Sequence, residues 1–175
     1  MLCCIESPML CCIESPMPKE IERKFLVDLT QVPIPPNGIE IKQGYLPLSE
    51  SVKTVVRVRI IGEEAFLAVK GENKGATRQE FEYAIPVSEA LELLENLCQK
   101  PLIEKTRYEI LTGKHLWEID IFHGDNKGLI VAEIELTDEN DHFEFPNWLS
   151  EEVSNDPRYY NSNLLQKPYK DWSAT

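Results

Sequence analysis

From residue 17 onward, apolar side chains recur mainly every second position. Segments 20–27 (EIERKFLV), 39–46 (IEIKQGYL), 54–61 (TVVRVRII), 65–70 (AFLAVK), 78–85 (RQEFEYAI), 102–110 (LIEKTRYEI), 115–123 (HLWEIDIFH) and 129–136 (LIVAEIEL) all follow it. The period predicts eight β-strands. Turn residues separate several of them: Pro35-Pro36-Asn37-Gly38, Ile61-Gly62-Glu63-Glu64, Gly71 to Gly75, Thr112-Gly113-Lys114 and Gly124-Asp125-Asn126. The connections are mostly short, which suits antiparallel neighbours rather than crossover units. One stretch breaks the alternation. Ala90, Leu91, Leu94, Leu97 and Cys98 fall on one helical face, with Ser88 as the expected N-cap and Pro101 as the stop. Further on, Trp148, Leu149 and Val153 predict a short amphipathic helix, and Arg158 to Gln166 another.

The polar positions of the strands carry charge in like-signed pairs. Residues i and i+2 of a strand share a face. Glu20 and Glu22 are paired in this way, as are Glu80 and Glu82, Glu118 and Asp120, and Glu133 and Glu135. Arg57 with Arg59, and Lys105 with Arg107, form two basic pairs, while Lys70 shares a face with Phe66 and Ala68. A solvated sheet face is the simplest account of any single strand. Such a face usually intersperses its signs, because adjacent like charges repel. Acidic pairs facing one another across strands offer oxygen ligands to Mg²⁺ or Mn²⁺. Basic pairs beside them suit phosphate oxygens. Together they describe a metal-bound polyphosphate, and eight antiparallel strands closing into a barrel would give the charges a common interior.

The chain has 175 residues, with 18 Lys+Arg against 30 Asp+Glu and a formal net charge of −12. That length fits a single domain with a buried core. The acidic balance excludes general nucleic-acid binding, which needs a cationic footprint. No apolar run of about 18 residues is present, so no membrane-spanning helix is expected. Residues 1–8 (MLCCIESP) repeat unchanged at 9–16, which reads as a cloning scar or misassigned start. The repeat holds Cys3, Cys4, Cys11 and Cys12, leaving Cys98 as the remaining cysteine, expected in the core. A lone cysteine fits a reducing cytoplasm and no disulfide framework. His115, His123 and His142 have no partners at ligand spacing and read as structural, as do Trp117 and Trp148.

The ordered motifs resemble the CYTH domain, also called the triphosphate tunnel metalloenzyme superfamily. Glu20-Ile21-Glu22-Arg23-Lys24-Phe25 matches its ExExK signature. It is followed in order by Gln43-Gly44-Tyr45-Leu46, Arg57-Val58-Arg59, Leu67-Ala68-Val69-Lys70-Gly71 and Arg78-Gln79-Glu80-Phe81-Glu82-Tyr83. Then come Glu104-Lys105-Thr106-Arg107-Tyr108, Glu118-Ile119-Asp120, Val131-Ala132-Glu133-Ile134-Glu135-Leu136, and Glu151-Glu152-Val153 through Arg158-Tyr159-Tyr160-Asn161. The resemblance covers 17–166, leaves 167–175 as a tail, and is strongest to the short bacterial branch containing inorganic tripolyphosphatases. Many sequences of that branch carry a class IV adenylate cyclase label.

The resemblance implies a mainly β member of the α+β class: an eight-stranded, closed antiparallel β-barrel forming a tunnel, with flanking helices. It implies Mg²⁺ or Mn²⁺ as cofactor. By motif position Glu20, Glu22, Asp120, Glu133 and Glu135 would be metal carboxylates, and Lys24, Arg57, Arg59, Lys70, Lys105 and Arg107 would hold phosphates. The segment around Arg158, Tyr159 and Asn161 would cover one tunnel mouth, with Arg158 joining the phosphate set. Glu80 and Glu82 are expected to orient tunnel cations. Lys70 or Lys105 is the candidate for proton transfer, and Tyr45 for a hydrogen bond to phosphate or attacking water, with core packing as its alternative.

The expected activity is metal-dependent hydrolysis of a small triphosphate, foremost inorganic tripolyphosphate. Adenylate cyclisation would need a purine pocket, for which no motif is present. Thiamine or nucleoside triphosphate hydrolysis and a non-catalytic polyphosphate-binding module remain alternatives. The expected partner is the small substrate alone, with no nucleic acid or membrane, and the chain is a monomer or homodimer.

Overall fold

The computed structural model describes residues 21–49, 51, 53–72, 79–138 and 141–172. Glu20, Arg78 and the duplicated octapeptide lie outside the described residues. All eight predicted strands form: β1 (Ile21–Val27), β2 (Ile39–Tyr45), β3 (Val55–Ile61), β4 (Glu64–Lys70), β5 (Glu80–Ile85), β6 (Ile103–Thr112), β7 (His115–Phe122) and β8 (Ile130–Leu136). A ninth, β9 (Leu149–Glu152), replaces the first of the two expected C-terminal helices. Trp148 and Val153 are buried as a helix would require, but the segment runs extended along β1, with Phe25 opposite Glu152 and Val27 opposite Leu149. Helix α1 (Val87–Asn96) begins after Pro86 and not at Ser88, because Pro86 already carries the extended backbone of a cap. The second C-terminal prediction resolves into a 3-10 turn (Pro157–Tyr159) and helix α2 (Asn161–Gln166).

The strands make one antiparallel sheet in the order β5-β4-β3-β2-β6-β7-β8-β1-β9. The expectation of mainly β, antiparallel structure holds. The expectation of a closed ring differs, since the ladder among the described residues runs from β5 to β9 without a pairing that joins them. No helix among those residues is long and apolar enough to cross a membrane.

Alternation gives the sheet two unlike faces. One is apolar and covered. Over β3 and β4, Val58 and Ala65 pack against Ala90, Leu94 and Cys98. Over β1, β7 and β8, Phe25, Trp117, Ile119, Ala132 and Ile134 pack with Val32 and Trp148. Trp117 stands edge-on to Phe25, Phe143 and Trp148 at centroid distances of 5.7, 5.5 and 5.4 Å, separations at which aromatic edges and faces attract.

Gly44 shows how tightly α1's end is seated. A Cβ there would lie 2.7 Å from the Cys98 Cβ and 2.8 Å from a Leu102 methyl. Gly44→Ala is therefore expected to cost about 1–3 kcal/mol by overpacking, read as a lower urea midpoint. An unchanged midpoint would show that the Cys98–Leu102 turn yields freely.

Candidate active site on the charged face of the sheet

The second face of the sheet gathers the chain's like-signed pairs. The register fixes this. Glu22 stands opposite Glu135, and Lys24 opposite Glu133. Glu133 faces Glu118, Asp120 faces Arg107, Tyr45 faces Arg57 and Gln43 faces Arg59. Lys70 faces Glu80, and Glu82 faces Ala68. Period-two alternation along each strand then puts all of these on a common side. Carboxylates concentrate on β7, β8 and β1, and cations on β3, β4 and β6.

One end of this face is stopped by apolar packing. Ile103, Phe122, Leu129 and Val131 pack with Leu26 and Tyr45 beneath Leu164 of α2 and the rings of Tyr159, Tyr169 and Trp172. That end of the face is thus covered, and Glu22 and Glu135 lie toward the other.

At its centre is a buried ionic network. Asp120 is fully buried and Lys105 is 2% exposed. Asp120 accepts from Lys105 Nζ, and from Arg107 Nε at 2.8 Å and Nη2 at 2.7 Å. Arg107 also reaches Glu118, and Glu133 at 3.1 Å, while Lys24 bridges Glu22 and Glu133. Burial alone would raise the Glu133 pKa, but Lys24, Lys105 and Arg107 overcome it and hold the carboxyl at about 2. Burial pushes the Glu118 carboxyl up and the Lys105 ammonium down. Burial opposes the Arg107 charge too, yet its bonds to Asp120 leave that guanidinium more basic than usual.

The cations of β3 and β4 are held differently. Glu82 of β5 accepts from Arg57 Nη2 at 3.0 Å and from Arg59 Nη2 at 3.2 Å, and Glu80 pairs with Lys70 at 2.6 Å. One carboxylate between two guanidinium groups leaves positive charge over. Burial first and then the Arg57 charge lower the Arg59 pKa. The Nε–H donors of both Arg57 and Arg59 are buried without an acceptor. Buried donors are nearly always paired, so two orphans side by side mark the place for an anion with several oxygens.

The structure places Glu22, Lys24, Tyr45, Arg57, Arg59, Lys70, Glu80, Glu82, Lys105, Arg107, Asp120, Glu133 and Glu135 on one face, as two ionic clusters, one over β3 to β5 and one over β6, β7, β8 and β1. It does not bring Arg158 in. That side chain is 59% exposed and bound to Asp156 at 2.5 Å, stacked over Tyr159 and Trp172. Asp156 also accepts from the Arg158 backbone N–H, so a local turn contact, invisible to motif position, claims the guanidinium. Sequence reasoning missed Glu118 as a partner of Arg107, and Gln43, which sits on the charged face between Ile41 and Tyr45. Alternation alone placed both there.

Hard carboxylate oxygens are the donor set that Mg²⁺ and Mn²⁺ prefer. Glu22 and Glu135, directly opposed like charges on neighbouring strands, gain from a cation between them. Among the described residues no three acidic, His or Cys side chains gather closely enough to hold a metal ion by themselves.

The family model described as CYTH domain matches residues 18–169. An inorganic triphosphatase from Acetivibrio thermocellus is 47% identical over 154 residues, covering 88% of this chain and 97% of the relative. An inorganic triphosphatase from Nitrosomonas europaea is 38% identical over 153 residues, covering 83% and 95%. A solved crystal structure of an inorganic triphosphatase superposes with a TM-score of 0.65 at 34% identity, covering 86% of this chain and 97% of that one.

Proposed function

The chain belongs to the CYTH domain family, and we propose that it hydrolyses inorganic triphosphate with the help of Mg²⁺ or Mn²⁺. The observation that carries this reading is the pair of orphaned Nε–H donors of Arg57 and Arg59 on a face that also bears opposed carboxylates. The inorganic triphosphatase relatives, similar along nearly their whole length, support the same substrate.

Arg57 and Arg59 offer planar forks to phosphate oxygens, and Lys70 a point charge, so together they bind and orient the polyanion. Lys24, Lys105 and Arg107 extend the cationic surface toward the carboxylates. Asp120 is committed to Lys105 and Arg107, so in this proposal it fixes those cations rather than ligating metal. Glu22 and Glu135, joined by Glu133 and Glu20, would hold the divalent ion. Bound there, the ion would neutralise charge on the phosphate oxygens. The apolar cluster at Phe122 and Tyr45 covers one end of the face and would limit water access there.

Closure into a tunnel belongs to this proposal. Cations of β3 and β4 and carboxylates of β8 and β1 lie far apart in the strand order. A curled sheet would let both groups reach one short polyphosphate.

The test is an assay of the purified protein with Mg²⁺ or Mn²⁺ and tripolyphosphate, ATP or thiamine triphosphate, measuring phosphate, pyrophosphate and cyclic AMP. Phosphate release greatest with tripolyphosphate, and abolished by EDTA, is expected. Cyclic AMP from ATP would replace this reading with the cyclase one. Binding without turnover would leave a polyphosphate-binding module.

A further inference from the structure

Lys105 and Phe122 stand directly opposite each other in the β6–β7 ladder. They are 2% and 3% exposed, so almost no water reaches either. Among the described residues the Lys105 ammonium donates to the Asp120 carboxylate. Arg107 takes both oxygens of that carboxylate, at 2.8 and 2.7 Å, so one negative charge is divided between two cations. Glu133 adds to it from farther off. A buried ammonium with a shared partner gains from any further attraction. The Phe122 ring supplies one. Its centroid lies 5.5 Å from Lys105 Nζ, within the roughly 6 Å over which a ring face draws a cation, and the pull is strongest where water is excluded. The buried members of the surrounding cluster, Ile103, Leu129, Val131 and Leu164, are aliphatic, so packing asks for apolar volume at this position and not for a ring.

We infer that Phe122 is a positioning residue: the face of its ring fixes the Lys105 ammonium on the charged face, where the triphosphate would lie. This rests on the triphosphatase reading above. Phe122 acts through Lys105 and touches neither phosphate nor metal. Its ring also belongs to the apolar cluster beneath α2, so the cover at that end of the face helps to set where the cation stands.

Fluorination of this one ring tests it. Each fluorine withdraws electron density from the ring face and weakens its hold on a cation, yet leaves the side chain apolar and close to its original size. Site-specific replacement of Phe122 by 4-fluoro-, 3,5-difluoro- and 3,4,5-trifluorophenylalanine is expected to lower kcat/KM for tripolyphosphate in steps, to about a tenth with the trifluoro ring. The urea midpoint, measured without metal or substrate, is expected to fall in the same order. In Lys105→Met, which keeps an unbranched apolar stem without the charge, the same series is expected to leave the midpoint unchanged. Either quantity staying level across the series in the unsubstituted background would overturn the inference: an unmoved midpoint denies the contact, and an unmoved kcat/KM denies its role in the reaction. An equal fall of the midpoint in both backgrounds would overturn it too, because crowding by fluorine does not depend on the lysine. Absence of tripolyphosphate hydrolysis by the unsubstituted protein would remove the triphosphatase reading, while the urea series would still decide the contact between Lys105 and Phe122.

Discussion

Asp120→Asn is expected to destabilise the protein by about 3–5 kcal/mol and to abolish turnover, the stability loss measured by urea unfolding without metal or substrate. Asp120 is fully buried and is the acceptor for both Lys105 and Arg107. Asparagine keeps the shape but removes the charge and turns an NH₂ group toward two cations. Lys105, buried and already disfavoured as an ammonium, then keeps only Glu133 as a nearby counter-charge, and breaking a buried pair from one side leaves most of the other's desolvation unrepaid. Arg107 loses its planar two-bond seat, so the positions of both cations drift. A loss below about 1 kcal/mol would mean that Glu133 alone can hold the cluster together.

Glu22→Gln and Glu135→Gln are expected to lose turnover without the loss of stability. Each should lower metal-dependent phosphate release by about a thousandfold, since a divalent ion contributes several kcal/mol of charge stabilisation. Neither should lower the thermal midpoint by more than the small worth of an exposed ion pair. The two carboxylates are exposed and opposed in register, so removing one relieves repulsion in the metal-free protein, which for Glu22 offsets the loss of its pair with Lys24. Turnover within tenfold of the unsubstituted protein at saturating Mg²⁺ or Mn²⁺ would remove either residue from the proposed metal set. The contrast with Asp120 separates carboxylates that hold the site together from those that would hold the ion.

Alternation made the eight long strands legible, and with them the sharing of one face by Arg57, Arg59, Lys105 and Arg107. The short ninth strand was not legible. Over four residues, Leu149–Glu152 carries too little pattern to separate strand from helix, and only the exposed flank of β1 makes it a strand. The helix start was misplaced because Ser88 is a good cap in general, whereas Pro86 already sets the required backbone. Within the site, residue types were readable but partners were not. That Asp120 meets Lys105 and Arg107 follows from the β6–β7 register, a tertiary fact. Gln43 carried a signal, an amide at an inward position between Ile41 and Tyr45, which its lack of charge concealed.

The placement of β1 between β8 and β9 has a consequence for birth on the ribosome. The first described strand has no partner among its sequence neighbours, and both flanks are supplied from the far end of the chain. With roughly a hundred residues between β1 and β8, and synthesis at about 5–20 residues per second, β1 waits on the order of 5–20 seconds for a mate. Sheet formation can begin with the local hairpins, β3 with β4 and β6 with β7, whose loop-closure cost is small. Glu22 therefore meets Glu135 only once β8 has been made, and a nascent chain cannot engage its ligand before then.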